Sequence, residues 1–485
     1  MSRFEDELRR DIPRGFEGGE DSASQAYWLP PRELSDWSYK NAEGEASGIF
    51  LGYRGGQAIG WDDDRHVLLC AGNRAGKGVS LIIPNLHLYD GSVIAIDPKG
   101  ELAQLTYNHR KAKGQNCYAL DPFGVSGMPK ARFNPLDEID TDSPNAVDDA
   151  ASLAEALVIT PPGTKDPHWT ESARELIRAL ILLVLTFGPR ERELIAVRQL
   201  ITLDGPDFHG AGSPENKRKI LFRMMQDCAQ FPVVRRTGSA FEAIEDRELS
   251  GIFSTARSQT QFLDSPHMQE VLAAGSKPQF RLRDLKAKKT TIYLCLPASR
   301  MSEFARWLRL VINLALISFE RENDIKPDVP VLVVMDEFPV LGHMQSVQNA
   351  AGQIAGFRVK LWVVLQDLTQ IQRLYGKGWE TFIGNTGVRM FFGNVDMTTC
   401  EYVSRNLGMR TMVIDEPSGA NFSQRLAGAS PFRQVMRQEP LLSPTEVQLL
   451  LARDKKRVLV FAAGKRPVIL ERAIYHDKAD PLFGK

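Results

Sequence analysis

The chain has 485 residues, enough for about three domains or one large domain carrying an insertion. Hydrophobic residues make up 43% and charged residues 25%, the balance of a chain that buries a real core, and no apolar run approaches the ~20 residues of a membrane span. Lys and Arg total 60 against 60 Asp and Glu, so bulk positive charge does not hold this protein on nucleic acid or a membrane, and any such grip has to be local. Five scattered cysteines without a CxxC pair argue for a reducing compartment and against a disulfide scaffold or a zinc ribbon.

Residues 1–47 are rich in Gly, Ser and charge and contain no apolar core of a signal peptide. They read as a flexible N-terminal segment, except that Tyr27 to Trp37 has enough aromatic surface to dock on something. The first strand signal follows at 66–72 (HVLLCAG). It runs into Ala71-Gly72-Asn73-Arg74-Ala75-Gly76-Lys77-Gly78 and then Val79 and an apolar stretch able to open a helix. Gly72 and Gly76 let the backbone curl so that successive N–H groups point inward, and Lys77 adds a charge that reaches β- and γ-phosphates. By position and logic this is a Walker A phosphate loop, with Gly72 to Val79 as nucleotide contacts. It departs from the strict pattern twice. Ala71 replaces the first glycine, and Gly78 replaces the hydroxyl residue that usually ligates Mg2+. Ser80 is a poor substitute, because two residues along a helix turn it about 200° away.

Further apolar runs at 92–97, 116–121, 290–297, 331–337, 360–366, 387–393 and 457–464 are continuous rather than alternating. Strands buried on both faces of a parallel sheet look like this, and helical patterns lie between several of them, so the chain is expected to be α/β and doubly wound. Between Asp121 and Thr290 the strand signal disappears. Glu171–Phe187 reads as a helix, with Thr170 as N-cap and Gly188-Pro189 as stop, and Glu191–Leu203 reads as another. We expect 145–275 to be an all-α domain inserted into the α/β domain; the alternative is that these helices only cover one side of the sheet. The stretch 141–275 holds 19 acids and 14 bases, which makes it a poor main grip for nucleic acid.

The run VLVVMDE ends in two acids at the carboxyl edge of the sheet, where ligands of α/β proteins bind. Asp336 is the candidate Mg2+ ligand there and Glu337 the general base that polarises the attacking water. Thirty residues on, Gln366 ends the next strand, expected beside that of Asp336, where a buried amide can report the γ-phosphate. Asp415–Glu439 carries few strand or helix cues and is expected to be an irregular functional or disordered loop. Basic runs occur at 109–113, 217–219, 281–289 and 455–457, each a solvated face unless an oligomer lines them up around a pore.

Taken together, GNRAGKGVSLIIPNL, IAIDPKGEL, RFNPLDEI, DPHWTESARELI, TIYLCLPASR, VVMDEFPVLG, VVLQDLTQI and LLSPTEV with RPVILERAIYH resemble the TraG-type coupling proteins of type IV secretion, over roughly 48–480. The resemblance implies a RecA-like P-loop NTPase with an inserted all-α domain: 48–144 and 276–485 for the former, 145–275 for the latter. It implies ATP and Mg2+, with Lys77 on the phosphates, Asp336 and Glu337 as Walker B acids and Gln366 as sensor. It also implies a hexamer with ATP at subunit interfaces, and substrates that are relaxase–DNA complexes, single-stranded DNA or protein effectors, passed to secretion-channel subunits. A shared site needs an arginine from the neighbour; Arg65 is the first candidate, then Arg358 and Arg389. The usual N-terminal membrane helices are not found in the sequence, so the chain is expected to be cytoplasmic, either a soluble variant or docked by a separate membrane partner at the cytoplasmic face of the inner membrane. Rival expectations are a DNA pump of the HerA or FtsK kind, and a substrate receptor that binds ATP without efficient turnover.

Overall fold

The computed structural model describes residues 28–39, 48–160, 167–275, 278–417 and 432–483. The expected flexible N-terminal segment therefore lies mostly outside the described residues. The chain divides into two compact units, one of Met1–Tyr89, Val364–Lys377 and Thr386–Lys485, the other of Asp90–Val363 and Gly378–Asn385.

In the first unit the strands β1 (Ile49–Arg54), β2 (Gln57–Trp61), β3 (His66–Ala71), β9 (Thr386–Phe392), β12 (Arg457–Ala462) and β13 (Val468–Glu471) lie in the order β2-β1-β13-β12-β9-β3. Only β3 and β9 pair in parallel; the other neighbours are antiparallel. Strands β3 and β12 are buried along their whole length, as continuous apolar runs require. The docking expected of the first aromatic stretch occurs within this unit. Trp28 and Trp37 are buried, the N–H of Leu29 donates to the carbonyl of Pro467, and the rings of Trp37 and Trp61 lie 4.5 Å apart.

The expectation of an irregular loop at Asp415–Glu439 is corrected. Strands β10 (Met409–Pro417) and β11 (Phe432–Pro440) pair antiparallel in an unbroken register from Met409 opposite Pro440 to Pro417 opposite Phe432. Residues 418–431 between them lie outside the described residues. This ribbon stands apart from the main sheet, so its strands need no continuous apolar run, and Val413 and Met436 face solvent. That is why a search for buried strands passes over it.

In the second unit β4 (Val93–Asp97), β5 (Asn116–Leu120), β6 (Thr290–Cys295), β7 (Val331–Met335) and β8 (Val359–Leu365, of which the unit holds the part to Val363) lie in the order β8-β7-β4-β6-β5, all parallel. All eight runs read as strands from the sequence are strands. Between β5 and β6 the described residues form helices and 3-10 turns, among them Ala146–Leu157, His168–Val184, Leu194–Thr202, Pro214–Gln226, Pro232–Glu242 and Asp246–Thr260. The first of the two expected helices begins earlier than its proposed cap. The carbonyl of Pro167 accepts from the N–H groups of Thr170 and Glu171, and the Thr170 hydroxyl bonds back to the same carbonyl inside the first turn.

One side chain fixes how the chain beyond β3 returns onto β1. Asn85, fully buried in the helix Ile83–Leu88, accepts from the N–H of Phe50 at 2.8 Å and donates to the carbonyls of Phe50 and Leu81 at 2.9 Å each. Asn85→Ala leaves these backbone groups inside the protein short of a partner, which costs about 2–4 kcal/mol. Urea unfolding of the variant checks this; a loss under about 1 kcal/mol contradicts the role given to the amide.

Candidate functional site

The phosphate loop belongs to the first unit, and two glycines explain its path. A β-carbon on Gly72 collides with the carbonyl of Gly393, and one on Gly393 stands 2.6 Å from the β-carbon of Ala75. The loop after β3 can therefore rest on the end of β9 only if both positions lack side chains. The parallel ladder carries into this contact, with the N–H of Gly72 donating to the carbonyl of Phe392 at 3.2 Å. The N–H of Ala75 then returns to the carbonyl of Gly72 at 3.1 Å. Gly76 takes φ of 92°, where glycine is at ease, and Arg74 takes 54°, where it is not. The N–H groups of Asn73, Arg74 and Gly76 donate to no acceptor among the described residues. Asn73 and Arg74 are exposed, Lys77 and Gly78 are half-buried, and Gly78 opens a turn of π-helix, Gly78–Ile82, that leads into the helix from Ile83. Ser80 is buried, its N–H bonded to the carbonyl of Gly76 at 2.9 Å.

Two residues that sequence reasoning missed pack against this loop. Arg472, just past β13, lies buried beneath it and donates to the carbonyl of Ala75. Asn394, next to Gly393, is buried and donates to the carbonyl of Gln366 at 3.0 Å, while its Oδ1 finds no partner among the described residues. Gln366 itself is half-buried at the end of β8, its N–H bonded to Oε1 of Gln370 at 2.9 Å. The only sequence signal for Asn394 was its place after the Gly that ends a strand. Arg472 belongs to the stretch RPVILERAIYH but drew no role from the sequence, because its target is 397 residues away along the chain.

The acids lie at the strand ends of the second unit. Strands β4 and β7 are neighbours with Ile96 opposite Met335, so Asp97 and Asp336 leave adjacent strands at the same level. Burial pushes the Asp97 carboxyl up to about 6, and the charge of Asp336 adds to this, against the N–H groups of Ala103, Leu102 and Lys99 that pull it down. Asp336 and Glu337 are half-buried. Glu337 sits at φ of 62° before the 3-10 turn Phe338–Leu341 without capping it by its side chain. A left-handed Glu costs of order 1 kcal/mol, strain of the kind that gathers at functional sites. Asp97 belongs to the stretch IAIDPKGEL but drew no role from the sequence.

The three arginine candidates are each engaged within the chain. Arg65 grips Asp63 with two guanidinium nitrogens, at 2.9 and 2.5 Å. Burial raises the Asp63 carboxyl, but the hydrogen bonds and charge of Arg65 win and hold it down to about 2. Arg358 donates to the carbonyls of Pro327 and Asp328, and Arg389 to the hydroxyl of Tyr402. Several members of the basic runs turn inward: Arg110 donates to Thr291 and the carbonyl of Gly91 in the core, and Lys286 to the carbonyl of Phe319. Arg457 is likewise buried.

Gly393→Ala forces the phosphate loop off β9, and we expect it to weaken polyphosphate binding at least about tenfold with the fold kept. Gly114→Ala is the control, because Gly114 also has positive φ, at 81°, but opens into free space. Isothermal titration of both variants checks the difference; equal affinities contradict the role of the glycine crossing.

Comparison with known proteins follows the same lines. A family model described as "Type IV secretory system Conjugative DNA transfer" matches residues 32–482. Protein VirD4 of Rhizobium rhizogenes is 27% identical over 85% of this chain and 58% of its own length. The conjugal transfer protein TraG of Escherichia coli is 27% identical over 90% of this chain and 72% of its own. The chain thus spans 57–59% of the length of the VirD4 relatives from three rhizobial and agrobacterial sources. The solved structure of the plasmid coupling protein TrwB in complex with ADP and Mg2+ aligns with a TM-score of 0.68 at 15% identity, covering 98% of this chain and 100% of that one. The unbound TrwB structure gives 0.68 at 16%. That likeness shows the fold, α/β and RecA-like as the sequence implied. Among the described residues no helix is long and apolar enough to cross a membrane. The chain belongs to the family of conjugative DNA-transfer proteins of type IV secretion systems.

Proposed function

We propose that this protein is an ATP-hydrolysing coupling protein, which recruits DNA–protein complexes or effectors and delivers them to a type IV secretion channel. The observation that carries the reading is the strand-to-helix loop at Gly72–Val79, with its exposed backbone donors and Lys77. The neighbour TrwB is solved with ADP and Mg2+ and with analogues of ATP and GTP, which supports the same ligand class here. Gly72, Asn73, Arg74, Ala75, Gly76, Gly78 and Val79 line the phosphates, the free N–H groups of Asn73, Arg74 and Gly76 donate to them, and Lys77 draws the β- and γ-phosphates. Mg2+ would be held by the protein through a single carboxylate. Asp336 is that carboxylate, and the ion it would hold would supply charge neutralisation at the phosphates. Glu337 accepts the proton of the attacking water, and Gln366 orients that water or the γ-phosphate.

The division of roles along the chain follows. Residues 48–144 and 276–485 form the nucleotide-binding domain, and 145–275 the inserted all-α domain; between Ala146 and Leu272 the described residues hold helices and no strand, which supports this. In a hexameric ring, Arg65 is the side chain to reach the neighbour's nucleotide, and it must first leave Asp63. Sixfold repetition of exposed lysines and arginines gives an anion channel although each chain is neutral. A second reading, a receptor that binds ATP without efficient turnover, is favoured by Gly78, which offers no hydroxyl to the metal, and by the engaged state of Arg65.

Turnover separates the two readings. Hydrolysis stimulated by single-stranded DNA and lost in Lys77→Ala supports the motor, and rates equal to that control support the receptor. Glu337→Gln is expected to bind ATP and to lose at least about 100-fold in rate, the upper part of what a general base contributes; full activity removes its role. The oligomeric mass is expected to rise from monomer to hexamer with an ATP analogue and single-stranded DNA. A strict monomer under every condition eliminates the shared site.

A further inference from the structure

Arg472 is a charge without a counterion. It is 8% exposed. Nη1 donates to the carbonyl of Ala75, Nη2 donates to the carbonyl of Arg453 at 2.8 Å, and the guanidinium lies 4.4 Å from the centre of the Phe392 ring. Nε is buried with no partner, and no carboxylate pairs with the group among the described residues. Burial, with the like charge of Arg453, brings its pKa down to about 10, so it stays positive at neutral pH. A buried charge is ordinarily retained only where something compensates it. Two carbonyls and an aromatic face do part of this, and they leave the net charge standing directly beneath a loop built of backbone donors.

The geometry of the intervening peptide gives that charge a second effect. In a trans peptide the C=O and the following N–H point in opposite directions. Holding the carbonyl of Ala75 down toward Arg472 therefore aims the N–H of Gly76 up, away from the core. That N–H, like those of Asn73 and Arg74, has no acceptor among the described residues. Gly76 can follow because it has φ of 92°.

We propose that Arg472 is the positioning residue of the phosphate loop: it locks the Ala75–Gly76 peptide with its N–H outward and holds a buried positive charge that a bound polyphosphate compensates. The proposal rests on the nucleotide reading of the loop and adds to it a residue from the far end of the chain. Arg472 acts through the carbonyl of Ala75 in the loop, so its effect falls on the phosphate part of a ligand.

The test is equilibrium binding of an ATP analogue, ADP and adenosine to the full chain and to Arg472→Met and Arg472→Lys. Met keeps an apolar stem on Phe392 and removes the charge. We expect Arg472→Met to weaken ATP analogue and ADP about 10- to 100-fold, the scale of one hydrogen bond to a charged group, and to leave adenosine within about twofold. Arg472→Lys recovers part of the loss, since an ammonium restores the charge and reaches one carbonyl. Equal weakening of all three ligands, or of none, overturns the proposal while leaving the nucleotide reading intact. If Arg472→Met fails to fold, amide exchange of the wild-type loop decides. The Gly76 N–H must become protected when ADP binds, and exchange unchanged by ADP overturns the proposal. A wild-type chain that binds no nucleotide, with Lys77→Ala no different from it, removes the nucleotide reading and this proposal together.

Discussion

At Gly72 two backbones cross with no space for a side chain on either. The carbonyl of Gly393 occupies the place of a β-carbon on Gly72, and Ala75 fills the space beside Gly393. Everything in the phosphate loop follows from that contact. It puts the start of the loop on the end of β9, where the N–H of Gly72 continues the parallel ladder, and leaves the next residues to curl outward with their donors free. Arg472 closes the loop from the core side by taking the carbonyl of Ala75. A side chain in place of either glycine is a steric problem first, and on the proposed reading a loss of anion binding is its consequence.

The acidic edge of the second unit follows a different physical rule. Parallel neighbours in register end at the same level, so the acid that ends β4 and the acid that follows β7 come out side by side. Burial and the like charge of Asp336 raise the Asp97 carboxyl, while backbone donors at the start of the helix Glu101–Ala112 hold it partly down. An edge with this excess of negative charge suits a cation or a proton. Glu337, next along, is held in a left-handed conformation that an ordinary strand exit does not require.

Neutral overall charge hides an uneven use of basic residues. Arg110, Lys286 and Arg472 are spent inside the fold, where guanidinium and ammonium groups satisfy carbonyls that helices and strands leave open, and Arg457 is buried as well. In the run 217–219, Lys217 donates to the carbonyl of Leu203, Arg218 to Asp246 and Lys219 to Glu215. Any grip on nucleic acid is left to the remaining exposed bases, which is why charge runs in the sequence overstate the number of contact sites.

The eight strands, the glycine loop and the acids at 336–337 were read from the chain, because each is a local pattern: a continuous apolar run, glycines beside a lysine, carboxylates at a strand end. The ribbon β10–β11 was missed because its faces meet water, and burial is what makes a strand visible in sequence. Asp97, Asn394 and Arg472 were missed because their significance is a matter of neighbours. Residue type and spacing determined the fold class, the loop and its lysine. Tertiary structure alone decided which strand supports the loop, which arginine lies under it and which basic residues are buried, since those depend on contacts between positions hundreds of residues apart that no local pattern encodes.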